Sequence, residues 1–283
     1  MTAAIELIST PTRRRAPWAI VVVIAFLAIV AALAAFGGLL FPDAMRQDIL
    51  SSLLPAGTAG HPLGTDELGR DVVAMTIAGT ASSVVGPVLV AVGSMLCGIV
   101  LGTIAGYERG WLDFVIGRWT DLLLALPVLL AAIVVSGILG GGYAVTVILL
   151  IVLFSPSDIR IVRAGVLEQS ARPYIEAAQM LSLSRWRVMF RHILPNVSTL
   201  VITNVMLNTA FALVAFSSLS FLGVGVPPGT ADWGRQLTDN RAIMFDNPAA
   251  VILPALLIIL VACAVNVLGD WLGERLSRTG AGA

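Results

Sequence analysis

One short stretch of the chain carries four side chains of types that bind metal ions: His61, Asp66, Glu67 and Asp71. Arg70 lies among them and offers the acids a salt-bridge partner, while the nearby glycines and proline are typical of turns. The only other histidine, His192, is far away in the sequence. We therefore expect a turn held by ion pairs and no metal site.

The chain has 17 basic residues, all of them arginine, and no lysine. A Walker A phosphate loop needs its lysine to reach the terminal phosphates of ATP. The chain therefore cannot carry that ATP site, and we expect no catalytic residue and no bound cofactor. The 17 acidic residues balance the arginines, so net charge does not indicate a nucleic-acid partner.

A second candidate for function is the polar segment from Tyr174 to Asn196, which is rich in arginine. Within it, Trp186, Met189 and Phe190 fall at helical spacing and would form an apolar stripe with arginines beside it. Such a helix can seat in a groove of another protein, or it can lie on the lipid surface. Composition alone leaves both alternatives open.

The rest of the chain is strongly apolar, with 58% hydrophobic and 12% charged residues and a mean hydropathy of +0.94. This indicates an integral membrane protein. Six apolar runs are long enough to cross a bilayer: 18–41, 82–107, 119–139, 143–159, 197–222 and 249–268. Pro156 interrupts the fourth run, so we expect that span to end near residue 159. The prediction is one all-α, polytopic membrane domain over residues 1–283.

Arginine distribution predicts the orientation of these spans. With the amino terminus inside, 13 arginines fall in inner segments and four in outer segments, as the positive-inside rule requires. Both termini are then cytoplasmic, the outer loops are 42–81 and 223–248, and residues 160–196 form a cytoplasmic loop. The first span resembles a signal peptide, but its length favours an uncleaved anchor.

The cytoplasmic loop has the signals of two short helices. The first is expected over 173–181, because Pro173 suits the first helical position and Glu176 the first turn. Residues 182–184 break it, with Ser184 as a candidate N-cap. The second helix is expected from Arg185 to about His192, ended by Pro195.

This loop resembles the E-A-A loop of importer-type ABC permeases, in which E-A-A is followed by three residues, glycine, nine residues, isoleucine, any residue, leucine and proline. Glu176-Ala177-Ala178 and Leu194-Pro195 match that pattern. Ser182 replaces the glycine, and His192 stands at the isoleucine position. Serine tolerates a positive φ less well than glycine, so the bend differs from the family pattern here.

Four further stretches resemble the dipeptide, oligopeptide and nickel branch of these permeases: His61–Asp71, Ser218–Pro228 with Trp233-Gly234, Gly106–Asp113, and Asn266–Asp270. The ending Arg191–Asn196 also matches that branch. The chain is therefore similar to the second, C-type permease subunit. The resemblance implies a type I importer permease fold of six transmembrane helices in a bacterial inner (plasma) membrane, with a cytoplasmic coupling loop.

The resemblance also implies partners and sites. The partners would be a homologous permease, two ATPase subunits or one fused ATPase that use ATP and Mg, an extracytoplasmic binding protein, and the lipid bilayer. Residues implied in ATPase coupling are Glu176, Ala177, Ala178, Ser182, Arg185, Trp186, Arg187, Phe190, Arg191, Leu194 and Pro195. Candidate receptor-facing residues are Asp66, Arg70, Asp71, Asp232 and Trp233. Candidates along the substrate path are Phe216, Ser217, Ser218 and Ser220.

Several alternatives stay open at this point. The serines could instead bond back to their own helix, and the small-residue face of Gly98, Gly102 and Gly106 could pack within the subunit or against the second permease. Many relatives carry an acid at the position of Phe216, and if that acid meets a cationic group of the cargo, this chain lacks the contact. Peptides remain the first expectation for the cargo, with nickel or a larger apolar molecule as alternatives.

A different class, the ion- or proton-coupled transporter, keeps ionisable groups at mid-membrane. We expect this chain's span centres to be nearly free of charge, because four aspartates are predicted at or near span ends: Asp113, Asp121, Asp158 and Asp270.

Overall fold

The computed structural model describes residues 17–280, and the elements in this range are helices and turns, without a β-strand. The helices are α1 Pro17–Leu40, α2 Val72–Ala78, α3 Thr80–Cys97, α4 Thr103–Glu108, α5 Gly110–Leu124, α6 Val128–Leu139, α7 Tyr143–Ser170, α8 Pro173–Met180, α9 Arg185–Arg187, α10 Leu194–Phe221, α11 Trp233–Asp239 and α12 Ala249–Gly280. Two π-helical turns, Gly98–Gly102 and Val188–Ile193, and two 3₁₀ turns, Ile49–Ser51 and Arg241–Ile243, complete them. The all-α class is confirmed, whereas Arg13, Arg14, Arg15 and both chain ends lie outside the described residues.

Five helical segments of the described chain are long and apolar enough to cross a membrane, and a sixth span results if α5 and α6 are taken together. The second segment runs from Val72 to Glu108 and so begins ten residues before the expected 82. The predicted straight span 119–139 is wrong, because α5 and α6 meet at an angle of 88°. Pro127 explains the break, since it cannot donate a backbone hydrogen bond and disfavours helix in the residue before it.

The helix that contains the fourth span extends beyond the expected end near residue 159. Helix α7 continues through Pro156 to Ser170. A proline leaves the carbonyl four residues earlier without its usual donor, and here the Ser155 hydroxyl donates to that carbonyl, Val152 O, at 2.9 Å. The helix therefore extends about 11 residues into the segment that was expected to be a loop.

The glycine face of the second span packs within the subunit. A Cβ atom at Gly102 would lie 2.7 Å from the carbonyl oxygen of Ile159, and one at Gly106 would lie 2.9 Å from Val166 Cβ. Both contacts are on α7, so the small residues allow α4 and the π turn before it to approach α7 closely. Of the two alternatives for this face, the structure favours packing against the subunit's own α7.

Two buried clusters hold the helices together. The first joins α3, α7 and α10 through side chains such as Val90, Leu150 and Phe216. The second joins α7 to the polar segment, with Val162 and Val166 packed among residues of α8 and of the π turn after α9. The polar segment therefore shares a core with the spans.

Candidate functional site

The polar segment forms an elbow, residues 173–193, which consists of α8, a bend, α9 and a π turn. Pro173 occupies the start of α8 and Glu176 its first turn, as expected. Ser182 has a φ of +56° at the bend. Ser184 then caps α9 by accepting the backbone N–H of Arg187 at 3.4 Å, which confirms the predicted cap.

Pro195 does not end the second helix of the elbow, so that prediction is wrong. The π turn Val188–Ile193 leads directly into α10, and Pro195 falls in the first turn of that helix. A first-turn proline costs little, because its missing N–H would have no partner within the regular helix. The elbow is thus rigidly continuous with a membrane span.

Apolar contacts seat the elbow on the spans. Ile175, Ala178, Val188 and Ile193 are buried against Val162, Val166 and Val197. Met189 is buried as well, so only Trp186 and Phe190 remain of the expected apolar stripe. Trp186 and Phe190 stack with ring centroids 5.6 Å apart and an interplanar angle of 12°, and Trp186 is 62% exposed.

The other residues implied in coupling divide by exposure. Those with exposed side chains are Glu176, Ala177, Ser182, Arg185, Arg187, Arg191 and Pro195. Ala178 is buried, and Phe190 and Leu194 are partly buried. The elbow therefore presents an aromatic pair with arginines around it, which is the composition of a protein-docking helix.

Ion pairs and hydrogen bonds tie the elbow to the inner ends of the neighbouring helices. Arg185 Nη1 lies 2.7 Å from Glu108 Oε2 at the end of α4. Gln179 Nε2 donates to the Tyr107 hydroxyl at 3.4 Å. On α7, Arg163 donates to both carboxylate oxygens of Asp113, at 2.5 and 2.7 Å. A movement of the elbow is thereby shared with α4.

The outer stretch 61–71 is a turn built by its acids. Asp66 Oδ1 accepts the N–H groups of Leu68 and Arg70, and Arg70 Nε donates to Asp66 Oδ2 at 2.6 Å. Asp71 caps α2 by accepting the Ala74 N–H at 2.7 Å, and it contacts His61 Nδ1 at 2.9 Å. Among the described residues, no group of three or more His, Cys, Asp or Glu side chains is arranged to hold a metal ion.

The second outer loop is pinned in the same way. Asp232 caps α11 by accepting the Arg235 N–H at 3.0 Å and the Ser83 hydroxyl at 2.9 Å. Trp233 donates its N–H to Ser83 Oγ at 2.8 Å and its indole N–H to Thr76 O at 2.9 Å. Burial raises the pKa of the Asp232 carboxyl above its ordinary value.

Burial corrects the expectation that these residues face a receptor. The side chains of Asp66, Arg70, Asp232 and Trp233 are buried, and Asp71 is largely so. They fix the outer loops onto α2 and α3, which is an indirect role. Sequence reasoning missed the apolar residues that the outer loops do expose, Ile49, Leu50 and Phe245. Large apolar side chains inside otherwise polar loops were the available signal.

The residues expected along the substrate path are mostly in the core. Phe216 is fully buried and meets Tyr143 edge-on, with centroids 5.3 Å apart. The Ser218 hydroxyl bonds back to Val214 O at 2.7 Å. The Ser217 and Ser220 hydroxyls are buried and have no hydrogen-bond partner within residues 17–280. In this conformation Phe216 fills the contact between helices.

Asp158 was expected at or near the end of the fourth span, and its surroundings were not predicted. It lies in the middle of α7, is fully buried, and accepts hydrogen bonds from Asn204 and Asn208 on α10. The expectation ended the span at residue 159 because of Pro156. The pair of asparagines four residues apart in an apolar helix was the missed signal.

Comparison with known proteins identifies the family. Residues 98–278 match the profile of the binding-protein-dependent transport system inner membrane component. The chain is 34% identical to the glutathione transport system permease protein of Pectobacterium atrosepticum, over 89% of this chain and 84% of that one. It is 36% identical to the di/tripeptide transport system permease protein of Pseudomonas aeruginosa, over 83% and 78%. It is 33% identical to the dipeptide transport system permease protein of Haemophilus influenzae, over 89% of this chain and 87% of that one. With its elbow and its apolar spans, the chain belongs to the family of multi-pass inner membrane components of binding-protein-dependent transport systems.

Proposed function

We propose that this protein is the permease subunit of an ATP-driven importer that carries peptides of the di- and tripeptide class across the inner membrane. The curated relatives bear the names of glutathione, dipeptide and di/tripeptide permeases. The absence of lysine means that a Walker A site, and with it ATP and Mg, belongs to other chains. The subunit contributes the pathway and no catalytic residue.

We infer different partners for the elbow and for the outer loops. A second homologous permease completes the pathway, and two ATPase subunits, or one fused ATPase, bind at the elbow. An extracytoplasmic binding protein delivers the cargo to the outer loops, where Ile49, Leu50 and Phe245 offer exposed apolar contacts. Both termini are on the cytoplasmic side, since this places the arginine-rich segments inside.

The observation that carries the proposal is the stacked Trp186–Phe190 pair, with Trp186 exposed, on an elbow that shares a core with the spans. An ATPase groove that closes around this pair moves a rigid piece of the permease. Closure is then transmitted to α7 and α10 as a rigid-body movement that alternates the side on which the pathway opens.

The experiment replaces the exposed aromatic. Trp186→Ala should weaken ATPase binding by about 2 kcal/mol or more, because aromatic anchors dominate docking energies. The measurements are copurification of the ATPases with the tagged permease and uptake of a labelled dipeptide by vesicles. Trp111→Ala is the matched control, since Trp111 is also exposed but lies at the start of α5.

Normal ATPase copurification and normal uptake in the Trp186→Ala variant would contradict the docking role. A separate change at Glu176, whose side chain is exposed, should reduce uptake while the complex stays assembled. A charge at Ala178 is a poorer test, because that residue is buried in the seat of the elbow.

A further inference from the structure

A carboxylic acid is buried where α7 crosses α10. Asp158 is 0% exposed, and its Oδ1 accepts the side-chain N–H of Asn204 at 2.5 Å and of Asn208 at 2.6 Å. The two asparagines lie one turn apart on the same face of α10. Oδ2 has no hydrogen-bond partner within residues 17–280.

Stability does not account for these three polar side chains. Burying a polar or charged group in an apolar layer carries a desolvation cost, and well-packed apolar side chains of similar size would avoid it. Ionisable residues inside membrane spans are therefore expected to serve function. The six-span permease architecture itself assigns no role to this group.

Helix α3 and its π turn press Asp158 against α10. A Cβ atom at Gly98 would lie 2.6 Å from Asp158 Cβ, so the backbone of the π turn Gly98–Gly102 touches the acid directly. The side chain of Asp158 has no room to turn away from the asparagines on that side. The contact between α7 and α10 is consequently fixed at this point.

The contact between Asp158 and the two asparagines is separated from the elbow along both helices. Asp158 lies 15 residues before Pro173, and Asn204 lies ten residues after Leu194. Only the 12 residues from Asp158 to the end of α7 at Ser170 are helical, so at 1.5 Å per residue the distances along the two helices are about 18 Å and 15 Å. Helices α7 and α10 are joined at one end by the elbow, they pack together through both apolar clusters, and they are hydrogen-bonded to each other at this contact. Unlike the apolar packing, the directional hydrogen bonds oppose sliding of one helix along the other.

We propose that Asp158, Asn204 and Asn208 form a polar clamp that makes α7 and α10 move as one lever when the elbow moves. Asp158 is then a positioning residue for the coupling of ATP hydrolysis to transport. This inference rests on the proposed function and adds to it the element that carries the movement to the outer half of the membrane. Without the clamp, only apolar packing would keep the two helices in register when the ATPases close.

The test uses the complete importer in proteoliposomes and measures dipeptide imported per ATP hydrolysed. Asp158→Leu removes the acceptor, so imported peptide per ATP should fall roughly fivefold or more while the ATPase rate is retained. Asp158→Asn keeps a carbonyl acceptor for the asparagines and should stay close to wild type. Thr209→Val is the matched control, because its hydroxyl bonds only to Val205 O of its own helix.

A second readout does not depend on transport. Spin labels at Ile148 on α7 and Val214 on α10, both exposed and both in the outer parts of their helices, report the distance between the helices. Its distribution should broaden in Asp158→Leu and keep the wild-type width in Asp158→Asn and Thr209→Val. If Asp158→Leu does not assemble, Asn208→Ala, which leaves the acid one donor, takes its place.

An unchanged ratio of peptide to ATP, or an unchanged distance distribution in the variant that assembles, would overturn the clamp. A merely structural role predicts lower yield or a lower unfolding temperature with the ratio intact. A wild-type complex that hydrolyses ATP without importing peptide would contradict the proposed function instead, and the spin-label distances would still decide for or against the clamp.

Discussion

Ser182 holds a backbone conformation that normally belongs to glycine. Its φ of +56° places the chain in the left-handed region at the bend of the elbow, where a Cβ atom costs about 1–2 kcal/mol. The E-A-A pattern has glycine at this position. The bend of the elbow is therefore locally strained, and the apolar contacts between the elbow and the spans offset the strain energy.

Replacing Ser182 with glycine should stabilise the elbow, by about 1 kcal/mol, because the strain is removed. Amide hydrogen exchange of peptides from 173–195 should slow in the assembled complex. Ser184→Gly is the matched control, since Ser184 has a φ of −61° and caps α9, so the same substitution there should speed exchange. Faster exchange in Ser182→Gly would show that the serine side chain, and not the backbone, matters at this position.

Asp232 gives a pH-dependent prediction. Burial raises the pKa of its carboxyl, so the folded protein binds this proton more tightly than the unfolded chain. The resulting stability is present at low pH and is lost as pH rises through the folded-state pKa. Asp232→Asn removes the charge at nearly constant shape, so its unfolding temperature should rise relative to wild type as pH increases from the ordinary value of 3.8 through the folded-state pKa. Exposed Asp246 provides the control, and Asp246→Asn should show no such trend.

At the scale of elements, the second and fourth spans pack closely because glycines of the second span have no side chain at the contact. Gly102 packs against α7 so closely that one methyl group would meet Ile159 O at 2.7 Å and Val162 Cβ at 3.0 Å. Gly102→Ala should therefore destabilise the protein by about 1–3 kcal/mol, as overpacked sites do. Gly117→Ala, with nothing within 4 Å of the added atom, should not. Thermal unfolding in detergent measures both, and equal unfolding temperatures would contradict the packing.

Local signals predicted the starts of elements better than their ends. Pro173 and the Ser184 cap were readable because a cap acts within one turn. The continuation of α7 through Pro156 was not predicted, because a serine hydroxyl bonds to the carbonyl that the proline leaves free. The continuation into α10 at Pro195 was not predicted either, because a π turn leads into that helix. The bend at Pro127 is the reverse case, since the Leu126 N–H bonds to Leu123 O in a turn at 3.2 Å and the span breaks there.

On the scale of the whole molecule, hydropathy and arginine counts predicted the class, the number of spans and the polar cytoplasmic segment. The candidate site was predicted less completely. Exposure depends on tertiary packing, so Met189, Phe216 and Trp233 turned out buried although each had been read from its place in a motif. Asp158 was missed for the same reason, because only the fold brings it to the asparagines of α10.

The orientation of the whole molecule leads to the last prediction. Phe245 is 94% exposed in the second outer loop, and Met180 is 85% exposed on the elbow. With Cys97 and Cys263 replaced by serine and the protein expressed without its partners, Phe245→Cys should react with a membrane-impermeant maleimide in intact cells. Met180→Cys should react only after permeabilisation, because the positive-inside rule places the elbow in the cytoplasm. The opposite pattern would place the elbow on the outer side, where no ATPase could reach Trp186, and would therefore refute the proposed coupling together with the orientation.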